Sequence, residues 1–191
     1  MKFYTPIYEM KRGSILQINK EVNMNAPGNM EEIIRKFSEG PGILENAVKD
    51  LSEADLDYIP KEGGWSIREI IHHITDGDDL WKTCIKIALG NEEASFTLKW
   101  YLALTQLEWS KRWSYKSRSV DVSLALFKAN RNHIIQLINN VDDGWNRSVH
   151  FDDLNDEIKI IPIGFVIKMQ TEHAVHHVDR ILSIRNEIYG K

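Results

Sequence analysis

The sequence predicts an all-α protein, a four-helix bundle with a long connection between its second and third helices. Two observations predict this fold. Four segments of roughly 20 residues repeat apolar side chains at the spacing of an amphipathic helix. Glycine, proline and capping signals separate these segments, and four helices of this length pack as a bundle. At 191 residues, the chain is expected to form one domain, residues 1–191.

The first helix is expected after an N-terminal arm. Residues 1–27 are mixed in composition, and the sequence Asn-Ala-Pro-Gly at 25–28 predicts the end of that arm. Apolar residues from Ile33 to Leu51 then keep helical spacing. Gly-Pro-Gly at 40–42 interrupts them, so we expect the helix to kink or restart there.

The second helix and the connection after it have clear boundaries. The polar segment 52–64, with Pro60 and two glycines, is typical of a loop. Ser66 and Glu69 then form a capping-box sequence, which begins a helix that runs to about Leu89. Residues 96–113 are rich in aromatic side chains and predict a partly helical connection.

Two more helices complete the predicted bundle. The third covers residues 122–141 and ends before Asp-Asp-Gly. Residues 149–163 form either a short hairpin or an irregular loop, because a charged turn lies among their isoleucines. The last helix covers residues 163–189 and ends at Gly190.

Composition excludes several classes of protein. The net charge of −4 argues against a nucleic-acid partner, because phosphate binding requires a dense basic surface. A single cysteine, Cys84, excludes an internal disulfide framework and points to a reducing cytoplasm. The sequence contains no run of about 18 apolar residues, so it predicts no membrane span. Its N-terminus lacks the apolar core of a signal peptide. We therefore expect a cytoplasmic protein without a membrane partner.

Histidines on the last helix are the main candidates for chemistry. On a helical wheel, His177 and His173 lie about 40° and 80° from the centre of the apolar stripe. His176 lies roughly 140° away, on the solvent side. The two inward histidines are four residues apart, which suits two ligands on one metal ion.

A third ligand is expected from the second helix. His73 lies about 110° and His72 about 150° from the centre of its apolar stripe, so His73 is the better placed of the two. Together, His73, His173 and His177 would leave coordination positions open, as in catalytic metal sites. The alternative is that these histidines are hydrogen-bonded core residues that only pack in the bundle.

Two segments resemble the motifs of the DinB/YfiT-like superfamily. GWSIREIIHHITD at 64–76 is similar to its first motif, and HAVHHVDRI at 173–181 is similar to its closing HxxxH motif. Their order and separation also match, and the resemblance covers roughly residues 31–188. It implies a four-helix bundle, often a homodimer, in which three histidines hold a divalent metal such as zinc or nickel. By motif position those ligands are His73, His173 and His177.

The resemblance also implies a function. Members have been called metal-dependent hydrolases, several are S-transferases or isomerases that use a low-molecular-weight thiol, and others have no known activity. The resemblance thus implies a metal-dependent enzyme with a small-molecule substrate. A divalent metal acts as a Lewis acid and lowers the pKa of a bound water or thiol, which suits either reaction. The alternative function is a non-catalytic metal-binding or dimer-forming bundle.

Several other side chains are candidates for supporting roles. Asp76 and Asp179 follow ligand histidines closely and either orient an imidazole N–H or are simply solvated. Arg131 lies on the inward side of the third helix, where it binds an anionic substrate or pairs with a buried carboxylate. Three tryptophans of the connection either line a pocket over the site or pack in the core: Trp100, Trp109 and Trp113.

Overall fold

The computed structural model describes residues 29–152 and 158–190. The predicted N-terminal arm, 1–27, lies outside the described residues. The elements in chain order are α1 (Met30–Val48), α2 (Glu53–Leu56), α3 (Ile67–Gly90), β1 (Ser95–Thr97), α4 (Lys99–Leu102), α5 (Gln106–Arg112), a 3-10 turn (Tyr115–Ser117), α6 (Val120–Asn140), β2 (Ser148–Asp152), β3 (Ile158–Pro162) and α7 (Ile163–Tyr189).

The four long helices form the bundle, which confirms the predicted fold class. Helix α1 packs against α6 and α7, and α3 packs against the same two helices from the other side. Their inward faces meet in a core of aliphatic and aromatic side chains that includes Phe37, Ile74, Phe127 and Ile181. None of the described helices combines the length and apolar composition that a membrane span requires.

Helix α1 continues through Gly-Pro-Gly at 40–42, so of the two expected alternatives, a kink or a restart, the restart is wrong. Pro41 lacks the N–H that would bond to the carbonyl of Phe37, four residues earlier. The guanidinium of Arg131 replaces it, because Nη1 donates to the Phe37 carbonyl at 3.1 Å. A tertiary hydrogen bond thus satisfies the acceptor that proline leaves free.

The capping signal of α3 is confirmed. The Ser66 side chain accepts from the Glu69 N–H, and the Glu69 carboxylate accepts from the Ser66 N–H. The predicted loop at 52–64 is only partly a loop. Its first residues form α2, which begins with a second capping box between Ser52 and Asp55.

A small sheet packs on one end of the bundle. Strands β2 and β3 pair as the hairpin that was one of the two alternatives, with Val149 opposite Ile161. Strand β1, which the sequence did not predict, joins β2 in parallel through Ser95–Thr97. The buried ring of Phe151 lies 5.5 Å from the ring of Trp81 on α3, so the sheet extends the core.

Candidate metal centre

Three histidines from two helices converge inside the bundle, and we call them the histidine cluster: His73 on α3, and His173 and His177 on α7. One ring nitrogen of each lies within 4.8 Å of the other two. The Nε2 atoms of His73 and His173 are 3.0 Å apart. Neighbouring ligands of a tetrahedral zinc ion are ~3.3 Å apart, given bonds of about 2.05 Å. The spacing of the cluster therefore suits a divalent ion.

The electrostatics of the cluster favour neutral imidazoles. Burial, with added repulsion from the neighbouring imidazoles, lowers the pKa of His73 well below its usual value and that of His177 to about 2. Burial also lowers the pKa of His173 to about 4, helped by the positive charge of Arg131. All three rings are thus uncharged near neutral pH. A neutral imidazole presents the lone pair that a metal ion requires, so the donor set fits such an ion.

Their neighbours His72 and His176 have other surroundings. His176 is exposed on α7, on the side that the helical wheel predicts. His72 is fully buried, although the wheel placed it farthest from the apolar stripe. Its Nδ1 lies 2.8 Å from the Ser123 hydroxyl and its Nε2 lies 3.3 Å from the Arg118 carbonyl. His72 therefore links α3 to the start of α6 and faces away from the cluster.

Arg131 pairs with a buried carboxylate, which decides between its two predicted roles. Its Nε and Nη2 donate to Asp78 at 2.8 and 3.3 Å, and both side chains are almost wholly buried. Phe37 and Phe127 cover the guanidinium, each with its ring centre 4.3 Å away. All three nitrogens of the guanidinium are committed to protein acceptors. These contacts support the pairing role, and none of them indicates that Arg131 binds a substrate anion.

Neither predicted carboxylate orients a ligand histidine. Asp76 accepts two hydrogen bonds from the guanidinium of Arg118, at 2.7 and 3.2 Å. Asp179 is exposed on the outer side of α7. Both carboxylates thus lie outside the histidine cluster.

An aromatic stack from the connection reaches the cluster. Tyr101 and Trp109 stack with ring centres 5.4 Å apart, and Trp113 lies against both. Tyr115 continues the stack, and Trp65 completes it with its ring 4.7 Å from that of His73. The predicted Trp109 and Trp113 belong to this stack. Trp100 contacts its outer end and is half exposed.

Sequence reasoning missed two residues beside His73. Trp65 directly precedes the capping box of α3, and this position next to a motif is a signal that could have identified it. Gln106, the first residue of α5, is a buried polar side chain that lies beside the His73 ring. Nothing in its local sequence indicates that position, because the two residues are far apart along the chain.

Comparison with known proteins identifies the family. A family model described as the DinB superfamily matches residues 36–181. The chain belongs to the DinB superfamily. This assignment confirms the resemblance that the two histidine motifs indicated.

Two proteins of similar sequence have names that refer to metal. A protein of Oceanobacillus iheyensis is 27% identical over 156 residues, which cover 81% of this chain and 85% of the relative. A protein of Bacillus mycoides is 26% identical over 162 residues, which cover 83% of this chain and 88% of the relative. Both are named "Putative metal-dependent hydrolase".

A solved structure shares the four-helix bundle fold. YfiT from Bacillus subtilis, described as "a probable metal-dependent hydrolase with an unusual four-helix bundle topology", matches with a TM-score of 0.71. The two sequences are 22% identical, and the match covers 83% of this chain and 87% of YfiT. At this identity, the likeness shows the fold.

Proposed function

We propose that this protein is a metal-dependent enzyme that acts on a small molecule, with one divalent ion held by His73, His173 and His177. The observation that carries the proposal is the convergence of three neutral ring nitrogens within 4.8 Å. Three imidazoles form a donor set that suits zinc and nickel, and three protein ligands leave positions for water or substrate. The names of the relatives support the same reading.

The protein residues have distinct roles in this proposal. When bound, the ion would supply Lewis-acid chemistry that lowers the pKa of a bound water or thiol. The histidines hold it through uncharged rings, and α3 and α7 fix their separation. Trp65 and the aromatic stack cover the His73 side of the site with apolar surface, which excludes bulk water and favours an apolar portion of a substrate.

Hydrolysis and S-transfer are both compatible with such a site. Cys84 is buried, and burial raises the pKa of its thiol to about 12, so it stays protonated. The thiol in an S-transfer would therefore come from a separate low-molecular-weight molecule. Activity screens of zinc-loaded and nickel-loaded protein, with and without added thiol, separate the two reactions. Bound metal without turnover in either screen would favour the non-catalytic metal-binding bundle.

Metal content tests the proposal directly. We expect about one zinc or nickel ion per chain in tag-free protein, measured by elemental analysis after metal loading and desalting. Single variants His73→Ala, His173→Ala and His177→Ala should each lose the ion. His176→Ala is the matched control, since it removes an exposed histidine from the same helix. Full metal content in any of the three cluster variants, or none in the wild type, contradicts the proposal.

A homodimer is part of the proposal and has its own test. Light scattering on the same purified protein would give twice the chain mass of 22.2 kDa. The mass of a single chain would contradict a dimer and leave the metal proposal unaffected.

A further inference from the structure

We propose that Gln106, held in place by Tyr101, is the positioning residue that fixes the His73 ring for metal binding. The inference rests on the proposed function, because it concerns the outer partner of one proposed ligand. It assigns a role to the connection between α3 and α6, which contributes no ligand to the histidine cluster.

The orientation of the His73 ring defines the partner it needs. Its Nε2 faces the Nε2 of His173, so Nε2 is the atom directed into the cluster. A lone pair on Nε2 of the neutral ring requires the proton to be on Nδ1. That Nδ1 is buried and has no hydrogen-bond partner among the described residues. A buried N–H without an acceptor is costly, so the metal-binding tautomer requires an acceptor at Nδ1.

Gln106 is the side chain that can provide this acceptor. Side chains that interact with His73 include the rings of Trp65, His173 and His177 and the amide of Gln106. Of these, Gln106 alone carries an oxygen. The amide lies beside the ring, within reach of a hydrogen bond that would stabilise a ring N–H.

Tyr101 determines how the Gln106 amide is oriented. The Tyr101 hydroxyl donates to Gln106 Oε1 at 2.7 Å. A carbonyl oxygen accepts two hydrogen bonds, so one lone pair of Oε1 is still available for His73 Nδ1–H. The interaction also fixes the oxygen, rather than the NH₂ group, on the side of the hydroxyl. Gln106 is thereby prepared to accept.

The support for Tyr101 is rigid. Its ring is buried against Trp109 and Trp113, and its backbone carbonyl accepts from Trp109 Nε1 at 2.7 Å. The aromatic stack thus fixes the Tyr101 hydroxyl, and this hydroxyl orients the Gln106 amide. The amide in turn orients the His73 ring. Outer partners of this kind usually contribute a 10–100-fold increase in metal affinity.

Zinc affinity of purified protein, measured by competition with a chelator, tests the chain of contacts. Gln106→Met removes the acceptor at similar volume and should weaken zinc binding about 10–100-fold. Tyr101→Phe removes only the hydroxyl and should weaken it about 2–10-fold. Gln106→Glu keeps an oxygen acceptor and should retain affinity. Ser110→Ala is the control, because Ser110 is a buried polar residue of α5 that bonds to the Leu107 carbonyl.

A second readout separates positioning from a general structural role. Nitrogen NMR of the imidazole side chains in the zinc-loaded protein should show His73 with its proton on Nδ1 in the wild type. The Nδ1–H signal should exchange faster with water in Gln106→Met. Rescue by Gln106→Glu also guards against a folding defect, because a packing role would be harmed by a buried carboxylate at this position.

The outcomes distinguish this inference from the proposed function. Wild-type protein that binds zinc, together with a Gln106→Met variant of unchanged affinity and unchanged imidazole signals, overturns the inference alone. Wild-type protein that binds neither zinc nor nickel overturns both. A Gln106→Glu variant as weak as Gln106→Met also overturns the inference, since an acceptor would then not be what the position supplies.

Discussion

Two buried polar groups both involve helices α3 and α7, and they differ in how well the hydrogen-bonding capacity of their atoms is satisfied. The first, which we call the arginine cluster, comprises Arg131, Asp78 and Gln170. Its guanidinium meets a carboxylate, two backbone carbonyls and two aromatic faces. The histidine cluster instead turns ring nitrogens toward one another, and its His73 Nδ1 has no partner among the described residues.

The difference separates a structural group from one that we propose binds a metal ion. Arg131 on α6 bonds to Asp78 on α3, to the Phe37 carbonyl on α1 and to the Gln170 carbonyl on α7, so it joins all four long helices. Native proteins satisfy buried polar atoms in this way almost everywhere. The histidine cluster instead turns ring nitrogens toward one another, an arrangement that the proposed metal ion would satisfy.

Breaking the arginine cluster should have the largest effect on stability. Asp78→Asn leaves the buried guanidinium without its counter-charge at nearly constant shape, and we expect a loss of about 3–5 kcal/mol of unfolding free energy. Denaturant unfolding of the metal-free protein measures it. Glu39→Gln is the control, since it breaks an exposed pair with Arg35 that should contribute at most about 0.5 kcal/mol. Similar losses in both variants would contradict the comparison.

Zinc binding to the histidine cluster should raise the unfolding free energy of the protein. Zinc at a hundred times its dissociation constant should stabilise the wild type by about 2.7 kcal/mol. His177→Ala should abolish this gain, because it removes a ligand, whereas His176→Ala should keep it. Denaturant unfolding with and without zinc gives the values. A gain that survives in His177→Ala would show that zinc stabilises the fold elsewhere.

Replacing His72 should show that its role differs from that of its neighbour His73. His72→Ala removes the partner of the buried Ser123 hydroxyl and one of two contacts to the Arg118 carbonyl, which keeps its hydrogen bond from Arg68, so we expect a loss of about 1–3 kcal/mol. Zinc content should be unchanged, because His72 faces α6 and not α7. Unfolding and elemental analysis of the same sample check both statements, and loss of zinc would refute the second.

Two glycines of α1 should respond in opposite directions. A Cβ at Gly40 would lie 2.2 Å from Arg131 Nη1, so Gly40→Ala should cost about 1–3 kcal/mol. A Cβ at Gly42 would meet no atom within 4 Å, so Gly42→Ala should stabilise the helix by about 0.5–1 kcal/mol. Thermal unfolding of the two variants should show a lower melting temperature for Gly40→Ala and a higher one for Gly42→Ala than for the wild type. Equal shifts would mean that Arg131 can move away from α1.

Local patterns accounted for most of the fold. The four long helices follow from apolar spacing, and the start of α3 follows from Ser66 and Glu69. The three-residue strand β1 was missed because it is too short for a periodic signal. The expected restart in α1 was wrong because an Arg131 hydrogen bond satisfies the carbonyl that Pro41 leaves free.

The sequence by itself determined the helices and the inward direction of His173 and His177, because both depend on residues within one or two turns of each other. Only the tertiary structure decided the partners of the buried groups. It paired Arg131 with Asp78, buried His72 against α6 and brought Gln106 beside His73. These contacts join residues that are distant in the chain, and the packing of whole helices, which no local pattern records, determines which of them meet.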